Sequence, residues 1–278
     1  MNVFDRSKRY LKRKLKTANS RGTGELLCFS YYKGQSVIYN IQKIAFIESK
    51  LINHGIHSED ILDLVDKFIR KDSIFLDIGA NIGTITQPIA ARWQDSNLVI
   101  HSFEASKTIY NTLQTNISLN RLKNVTLHNG AVTDFDGSLT LYEVNSDSKN
   151  NGLSSTLNNS DIENPVKNEV RAMKIDGLMG QFKLPVSVIK VDVQGAELSV
   201  LRGAIETIKR DRPVIIFEHE DRYHQDCEKV KQQLNSLFSS LSYRIYKVDA
   251  NHPDSFFSED FSGYVESNLV AIPFVENN

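Results

Sequence analysis

The sequence has little cysteine, no long apolar run and no excess of charge of one sign. Its two cysteines, Cys28 and Cys227, lie far apart with no metal-ligand spacing around them, which argues against a disulfide framework and favours a reducing compartment. No apolar stretch approaches the roughly 20 residues that cross a bilayer as a helix. The net charge of −1 gives the chain as a whole no bias toward nucleic acid. These absences predict a soluble protein of the cytoplasm.

Residues 1–22 depart from this even charge. They carry a dense run of lysines and arginines, and Phe4, Leu11 and Leu15 lie near one face of a helical projection. No apolar signal-peptide core follows, so we expect no secretion. A short basic amphipathic helix here predicts peripheral contact with an anionic membrane or an acidic partner. The alternative is a solvated, frayed chain end.

After residue 72, strand-like and helix-like stretches alternate along the chain. Such alternation is typical of parallel strands joined by helices, and the last two strands follow each other without a helix. The fold class is therefore α/β, with a seven-stranded, mostly parallel Rossmann-like sheet and helices on both faces. The predicted strands are 73–78, 97–103, 124–128, 186–193, 213–218, 243–248 and 267–272, and the predicted helices are 83–92, 106–120, 197–210 and 226–240.

Residues 23–72 form a small N-terminal α+β extension in this interpretation, and residues 73–278 form the sheet domain. The extension begins with a predicted two-stranded hairpin around a Lys33-Gly34 turn, at residues 25–41. Two helices are predicted to follow, at 42–52 and 58–70, with Ser58 as the cap of the second helix.

The turn after the first strand of the sheet domain reads Asp77-Ile-Gly79-Ala-Asn81-Ile-Gly83. Glycines at this position let the backbone approach a ligand, and Asp77 lies at the carboxyl end of the strand, where open α/β sheets bind ligands. A carboxylate there disfavours a pyrophosphate but suits a cationic or zwitterionic adenosine ligand. S-adenosylmethionine, with its sulfonium and amino group, is such a ligand. The alternative is a glycine-containing turn with no ligand.

Glu104 is the second signal, because it ends the second strand about 20 residues after Gly83. An acid at that place accepts hydrogen bonds from the two ribose hydroxyls of an adenosine cofactor. The pairing does not separate NAD from S-adenosylmethionine. Asp77 and the lack of a full Gly-x-Gly-x-x-Gly motif favour S-adenosylmethionine. Alternatively, Glu104 is an ordinary acid at a helix N-terminus.

Polar side chains also end the fourth and fifth strands. Lys190 and Asp192 are two residues apart on a strand, so they share a face, and a buried strand rarely keeps such a pair without a reason. Glu218 and His219 end the next strand, where they could act as a base or orient a hydroxyl. We predict that Asp192, assisted by Lys190, carries the chemistry, with His219 as the leading base. Structural ion pairing and solvated strand ends are the alternatives.

Asp192, Glu218 and His219 also form an alternative ligand set for a divalent cation, which would acidify a hydroxyl. The sequence does not decide between a base and a metal.

Segments 75–83, 103–104 and 189–204 carry these motifs, and together they resemble the FkbM family of S-adenosylmethionine-dependent methyltransferases. The segment around Lys190 and Asp192 is the most specific part of the resemblance. Gln194 stands where many relatives have glutamate, and Ala105 where proline is common. Residues 1–72 and the tail beyond residue 250 carry little of the resemblance, and we expect acceptor choice to reside there and in the loop of residues 145–170.

The resemblance implies the class I methyltransferase fold and methyl transfer to a hydroxyl of a sugar, glycolipid or related small molecule. The residues that we accordingly place at the cofactor are Asp77, Gly79, Ala80, Asn81, Gly83, Glu104, Ala105, Asn129, Ala131 and Asp192.

Two other function classes stay open. An NAD-dependent oxidoreductase or epimerase would share the glycine turn and Glu104, although the missing third glycine weighs against it. A non-catalytic cofactor-binding module would use the basic arm for interaction, although the intact motifs weigh against that. A nucleic-acid methyltransferase is disfavoured because Asp192-Val-Gln-Gly stands where its Pro-Pro motif would follow the fourth strand.

Overall fold

The computed structural model describes residues 18–19, 26–41, 46–143, 154–155, 165–248 and 266–274. The basic run of residues 6–16, with its predicted amphipathic helix, lies outside these ranges. Within the described ranges, none of the helices is both long and apolar enough to pass through a bilayer.

The elements follow the chain in two groups, the extension and the sheet domain. The extension contains β1 (Ala18–Asn19), β2 (Leu26–Tyr32), β3 (Gln35–Ile41), α1 (Phe46–His54) and α2 (Glu59–Phe68). The sheet domain contains β4 (Ile74–Ile78), α3 (Thr86–Arg92), β5 (Val99–Glu104), α4 (Lys107–Leu119), β6 (Val125–Asn129), β7 (Ala131–Val132), β8 (Gly137–Glu143), β9 (Ser154–Ser155), β10 (Val166–Met173), β11 (Val186–Val191), α5 (Glu197–Arg202), α6 (Ile205–Asp211), β12 (Val214–Glu220), α7 (Cys227–Ser240), β13 (Tyr243–Lys247) and β14 (Glu266–Pro273).

Seven strands form the central sheet, in the order β13-β14-β12-β11-β4-β5-β6. Neighbouring strands are parallel except at β14, which runs antiparallel to both β12 and β13. The predicted fold class, with its antiparallel strand near one end of a mostly parallel sheet, is confirmed. The two- to eight-residue strands β7 to β10 form a separate four-stranded sheet in the order β7-β10-β8-β9.

The strand order reverses between β4 and β11, in the middle of the sheet. The chain moves outward from β4 to β5 and β6, then returns to place β11 on the other side of β4. Every residue of β4 and of β11 is buried, as expected for parallel strands covered by helices on both faces. A crevice outside the carboxyl ends at such a reversal is where ligands bind in open α/β sheets.

The predicted helix 197–210 is in fact two helices, α5 and α6, separated at Gly203. A Cβ at Gly203 would lie 2.0 Å from the carbonyl oxygen of Thr133. Thr133, directly after β7, therefore packs against the backbone of Gly203, where no side chain stands in the way. The break between α5 and α6 lies at this contact.

The hairpin of the extension is fastened to the sheet domain by asparagine side chains of α4 and the residue after it. Asn116 Oδ1 accepts a hydrogen bond from the backbone N–H of Asn40 at 2.7 Å, and Asn120 Oδ1 accepts one from Ile38 at 2.8 Å. The two carboxamides thus take the place of a neighbouring strand, because they accept hydrogen bonds from backbone N–H groups of β3.

Helix α2 anchors the rest of the extension. Its residues Ile61, Leu62, Leu64 and Val65 are buried in the core that also covers one face of the sheet. On its other side Asp66 accepts hydrogen bonds from Lys33 Nζ at 2.8 Å, Arg92 Nε at 2.6 Å and Trp93 Nε1 at 2.7 Å. The extension is thus held to the sheet domain at both its hairpin and its second helix.

Candidate active site

A cleft of about 830 Å³ lies at the carboxyl ends of β4, β5, β11 and β12, at the reversal of strand order. This volume falls in the range of cofactor and substrate sites. The turns after those strands form its floor, and the loop between α1 and α2 forms one side. The predicted site residues that line it are Gly79, Ala80, Asn81, Glu104, Ala105, Ala131, Lys190, Asp192 and Glu218.

The turn after β4 forms the cleft wall with its backbone. Gly79 has φ +78°, and a Cβ there would lie 1.8 Å from the carbonyl oxygen of Asp192. Asn81 is also left-handed, with φ 51°, and its side-chain oxygen accepts a hydrogen bond from the N–H of Ile82 at 2.7 Å. Glycine and asparagine are the residues that best tolerate this conformation. The turn therefore keeps this shape before any ligand arrives.

Glu104 borders the cleft with its carboxylate fixed by two backbone groups. Oε2 accepts a hydrogen bond from the N–H of Asn81 at 3.0 Å, and Oε1 accepts one from Ser106 at 2.9 Å. Burial raises the pKa of Glu104 to about 7, against the opposing effect of these two hydrogen bonds. Each oxygen keeps lone-pair capacity for a further donor, so the carboxylate is oriented to receive a pair of hydroxyls.

Three predicted cofactor residues lie behind the wall rather than in it: Asp77, Gly83 and Asn129. Asp77 is 0% exposed and accepts a hydrogen bond from Thr86 Oγ1 at 2.6 Å. Asn129 Nδ2 donates to the carbonyl oxygen of Glu104 at 2.9 Å, which ties the end of β6 to β5. These three residues do not line the cleft in this structure, and their place at a cofactor stays a prediction.

Lys190 joins three parts of the cleft floor. Its Nζ donates to the carbonyl oxygen of Gly79 at 2.9 Å and lies 3.4 Å from Asp77 Oδ1 and 3.3 Å from Asp192 Oδ2. Burial alone would lower the pKa of Lys190, but Asp192 and Asp77 together raise it above its ordinary value. Lys190 is therefore a fixed cation that holds the glycine turn, and it is not a proton acceptor.

Asp192 and Glu218 form a carboxyl pair that is open to the cleft. The side chain of Asp192 is 41% exposed, and the Glu218 carboxyl lies within hydrogen-bonding reach of it. Burial, followed by the charges of Asp192 and Glu220, raises the pKa of Glu218 to about 9. At neutral pH Glu218 is protonated, so the pair offers one hydrogen-bond donor beside a carboxylate acceptor.

His219, the leading base of the sequence interpretation, does not reach the cleft. Its side chain is 0% exposed, its Nε2 lies 2.9 Å from Asp221 Oδ1, and its ring stacks on His224 at 5.3 Å. Successive side chains of a strand point to opposite faces, so Glu218 and Glu220 line the cleft while His219 points away.

The alternative metal set of Asp192, Glu218 and His219 therefore does not assemble. The described part of the chain holds no other cluster of three or more His, Cys, Asp or Glu side chains that could bind an ion.

The extension and β14 supply cleft residues that the sequence interpretation missed. They are Lys50, His57, Ser58, Glu59, Asp60 and Asn268. Asn268 Nδ2 donates to Asp60 Oδ2 at 3.3 Å, which links the start of α2 to β14 across the cleft. The only sequence signal here was the predicted cap at Ser58. The Ser58 side chain makes no capping bond, and its Oγ lies 2.8 Å from His57 Nδ1 instead.

The sequence matches a family model described as the methyltransferase FkbM domain over residues 77–245. A curated protein of Beauveria bassiana strain ARSEF 2860, "Methyltransferase 1", is 27% identical over 147 residues, which cover 48% of this chain and 58% of that protein. The chain thus spans less than two thirds of this relative.

Two solved structures align with the chain at low sequence identity. The crystal structure of methyltransferase FkbM from Methylobacillus flagellatus KT aligns with a TM-score of 0.44 at 17% identity, over 76% of this chain and 50% of that one. The fibrillarin pre-rRNA processing protein of Methanococcus jannaschii aligns with a TM-score of 0.44 at 14% identity, over 94% and 98%.

Proposed function

The chain belongs to the FkbM methyltransferase family, and from this we propose that it transfers a methyl group from S-adenosylmethionine to a hydroxyl of a sugar, glycolipid or related small molecule. One observation carries the proposal. The cleft at the strand reversal combines an oriented carboxylate at Glu104 with a charged cluster of Asp77, Lys190 and Asp192 beside the glycine turn.

The residues present fit S-adenosylmethionine. Gly79 packs directly on the backbone of Asp192, which holds the turn at the carboxyl ends of β4 and β11. The backbone hydrogen bonds of Glu104 leave a lone pair on each carboxylate oxygen for a ribose hydroxyl. Ala105 and Ala131 offer a small, apolar wall for the adenine. When bound, the cofactor supplies a methyl group on a sulfonium, which is already an excellent electrophile. The protein then has to align the acceptor and remove its proton.

The charges of the inner cleft match a sulfonium. Asp77 and Asp192 are two carboxylates around the single ammonium of Lys190, which leaves one negative charge in excess. Glu218 is protonated at neutral pH, because burial raises its pKa to about 9. An excess negative charge in a partly buried site attracts one cation.

The pairing of charges in the inner cleft also supports an acceptor without charge. Lys190 is paired with carboxylates, and Arg222 Nε pairs with Glu220, so the inner cleft has little attraction for a phosphate or carboxylate group. A hydroxyl both donates and accepts a hydrogen bond, and it complements the protonated Glu218 beside the Asp192 carboxylate. Lys190 and Asp192 orient the acceptor in this proposal.

We also propose that the protein works in the cytoplasm and touches anionic membrane through the basic run of residues 6–16. A high density of lysine and arginine beside scattered apolar residues supports binding to such a surface. A glycolipid acceptor would then be presented at the same surface.

Calorimetry tests the cofactor assignment. S-adenosylhomocysteine should bind, NAD should not, and Glu104→Gln should weaken binding by about tenfold or more, because ribose hydroxyls lose an anionic acceptor. Wild-type affinity should also fall about tenfold from pH 8 to pH 6, because the carboxylate of Glu104 with its pKa of about 7 becomes protonated. Glu104→Gln should lose this pH dependence.

Glu206→Gln, on the exposed face of α6, is the matched control and should bind as the wild type does. Binding of NAD without binding of S-adenosylhomocysteine would refute the assignment. A screen of methyl-labelled cofactor against neutral glycans and glycolipids then tests the acceptor. Label found only on amines or nucleic acid would contradict the hydroxyl acceptor.

A further inference from the structure

His57 reaches the cleft from the loop between α1 and α2, outside residues 77–245 of the family match. The loop turns sharply, with left-handed backbone at Gly55 (φ +76°) and Ser58 (φ 51°). Of the imidazoles in the described ranges, His57 alone lines the cleft. It shares the cleft with Asp192 and Glu218, and it is close enough to Asp192 and Lys190 to feel their charges.

The ring is held in one orientation by its neighbour. His57 Nδ1 lies 2.8 Å from Ser58 Oγ. Ser58 occupies the cap position of α2 in a left-handed conformation that is uncommon for residues other than glycine, yet its side chain makes no capping bond. When Nδ1 carries the proton and donates it to Ser58 Oγ, the lone pair of Nε2 is available to a ligand.

The surroundings keep this imidazole neutral. The charged groups that face it are Lys50 from α1, Asp60 from α2, and Lys190 and Asp192 from β11 and its end. Burial, with help from Lys50 and Lys190, lowers the pKa of His57 to about 4 against the opposing effect of Asp192 and Asp60. At physiological pH the ring is therefore neutral, and one of its two nitrogens carries a lone pair instead of a proton.

Several carboxyl groups of the cleft already have partners. Glu218 is already protonated at neutral pH, and Asp192 is paired with Lys190. Both oxygens of Glu104 accept backbone hydrogen bonds, and Glu220 is paired with Arg222. Among the described residues that line the cleft, His57 is the only imidazole, and it is neutral.

We propose that His57 Nε2 accepts the proton of the acceptor hydroxyl, with Ser58 as the positioning residue, an inference that rests on the proposed methyl transfer. The O–H bond breaks and an N–H bond forms at Nε2. The acceptor oxygen keeps the electron pair and bonds to the methyl carbon, while the carbon–sulfur pair stays on sulfur. The imidazolium gains the positive charge that the sulfonium loses. In this proposal the extension supplies the base, and the residues proposed to bind the cofactor lie within residues 77–245, which match the family.

The first experiment needs no acceptor. Diethyl pyrocarbonate acylates neutral imidazoles, and peptide mass spectrometry reads each histidine separately. With saturating S-adenosylhomocysteine, His57 should react within about twofold of its ligand-free rate, because a base must stay open to the acceptor. His219, whose side chain is 0% exposed, should react at least about tenfold more slowly. Protection of His57 by S-adenosylhomocysteine would make it a cofactor contact and overturn the proposal.

The second experiment measures turnover on the acceptor from the label screen. His57→Ala should lose about 10²- to 10⁴-fold in kcat, and imidazole in solution should restore part of it. Its affinity for S-adenosylhomocysteine should stay within about threefold of wild type, which shows that the fold is kept.

The matched control is His54→Ala, at the exposed end of α1, which should keep wild-type turnover and show no response to imidazole. Turnover of His57→Ala within about threefold of wild type would refute the base assignment. A wild-type chain that fails to bind S-adenosylhomocysteine would instead contradict the proposed function, so the two failures are separate.

Discussion

The two sides of the cleft are built in different ways. On the side that we propose for the cofactor, the shape comes from backbone: Gly79 packs on the backbone of Asp192, and backbone N–H groups fix Glu104. On the side that we propose for the acceptor, the groups are side chains from separate elements, with His57 from the extension, Asp192 directly after β11 and Glu218 on β12. The first side depends on short stretches of sequence, and the second depends on the whole fold.

The two sides also differ in how far they fall within the part of the chain that matches the family. The backbone-built side lies within residues 77–245, which match the family. The acceptor side draws on the extension, which lies outside the match and is held to the domain by Asn116, Asn120 and Asp66. Changes in the extension should therefore alter acceptor chemistry while leaving cofactor binding intact.

Lys190 joins the two sides, and its replacement should have the largest effect. Lys190→Met leaves the carboxylates of Asp77 and Asp192 without their cation, which should lower the free energy of unfolding by about 3–5 kcal/mol in urea denaturation. Lys209→Met, which breaks an exposed pair with Glu206, should cost less than about 0.5 kcal/mol. Similar losses in the two variants would show that the cluster does not hold the sides together.

Gly79→Ala tests the backbone-built side alone. A methyl group 1.8 Å from the Asp192 carbonyl, on a backbone with φ +78°, should cost about 2–4 kcal/mol and abolish binding of S-adenosylhomocysteine. Gly180→Ala is the matched change in open space and should be neutral or stabilising by up to about 1 kcal/mol. If calorimetry finds that Gly79→Ala binds S-adenosylhomocysteine as the wild type does, the close contact with the Asp192 carbonyl is not what requires glycine in this turn.

Asp66→Ala tests the anchoring of the acceptor side and should have the smallest effect. Loss of its bonds to Lys33, Arg92 and Trp93 should lower the free energy of unfolding by about 1–2 kcal/mol. Turnover should fall while affinity for S-adenosylhomocysteine is kept. Asp63→Ala, at a more exposed carboxylate, should cost less. A loss of cofactor affinity in Asp66→Ala would mean that the two sides are not independent.

The strands of the central sheet could be predicted from the sequence, because each is marked by a pattern within a short stretch of residues. The apolar strand ending at Asp77, the glycine turn and Glu104 lie within one stretch, and all seven predicted strands are present. The alternation of side chains along a strand also limits what the fifth predicted strand can place in the cleft. Glu218 and His219 are adjacent, so only one of them could face the cleft, and the structure assigns that face to Glu218.

The role of His57 could not be predicted, because no local pattern marks it. It reaches the cleft only because α2 packs on the sheet and the loop before it turns through two left-handed residues. Ser58 takes its predicted cap position, and its missing capping bond has the same origin. Local sequence suggested a hydrogen bond to the helix, whereas the folded chain places the imidazole of His57 beside the hydroxyl.

The unequal charges around Lys190 have a consequence for turnover under the proposed function. Two carboxylates and one ammonium attract a sulfonium, but a thioether carries no charge for them to attract. The spent cofactor keeps the amino group and carboxylate of its amino-acid end but has lost the sulfonium charge, so the cluster attracts it less strongly than it attracts the donor. The cluster then favours exchange for a fresh, charged donor, so the feature that recruits the donor also limits inhibition by the product.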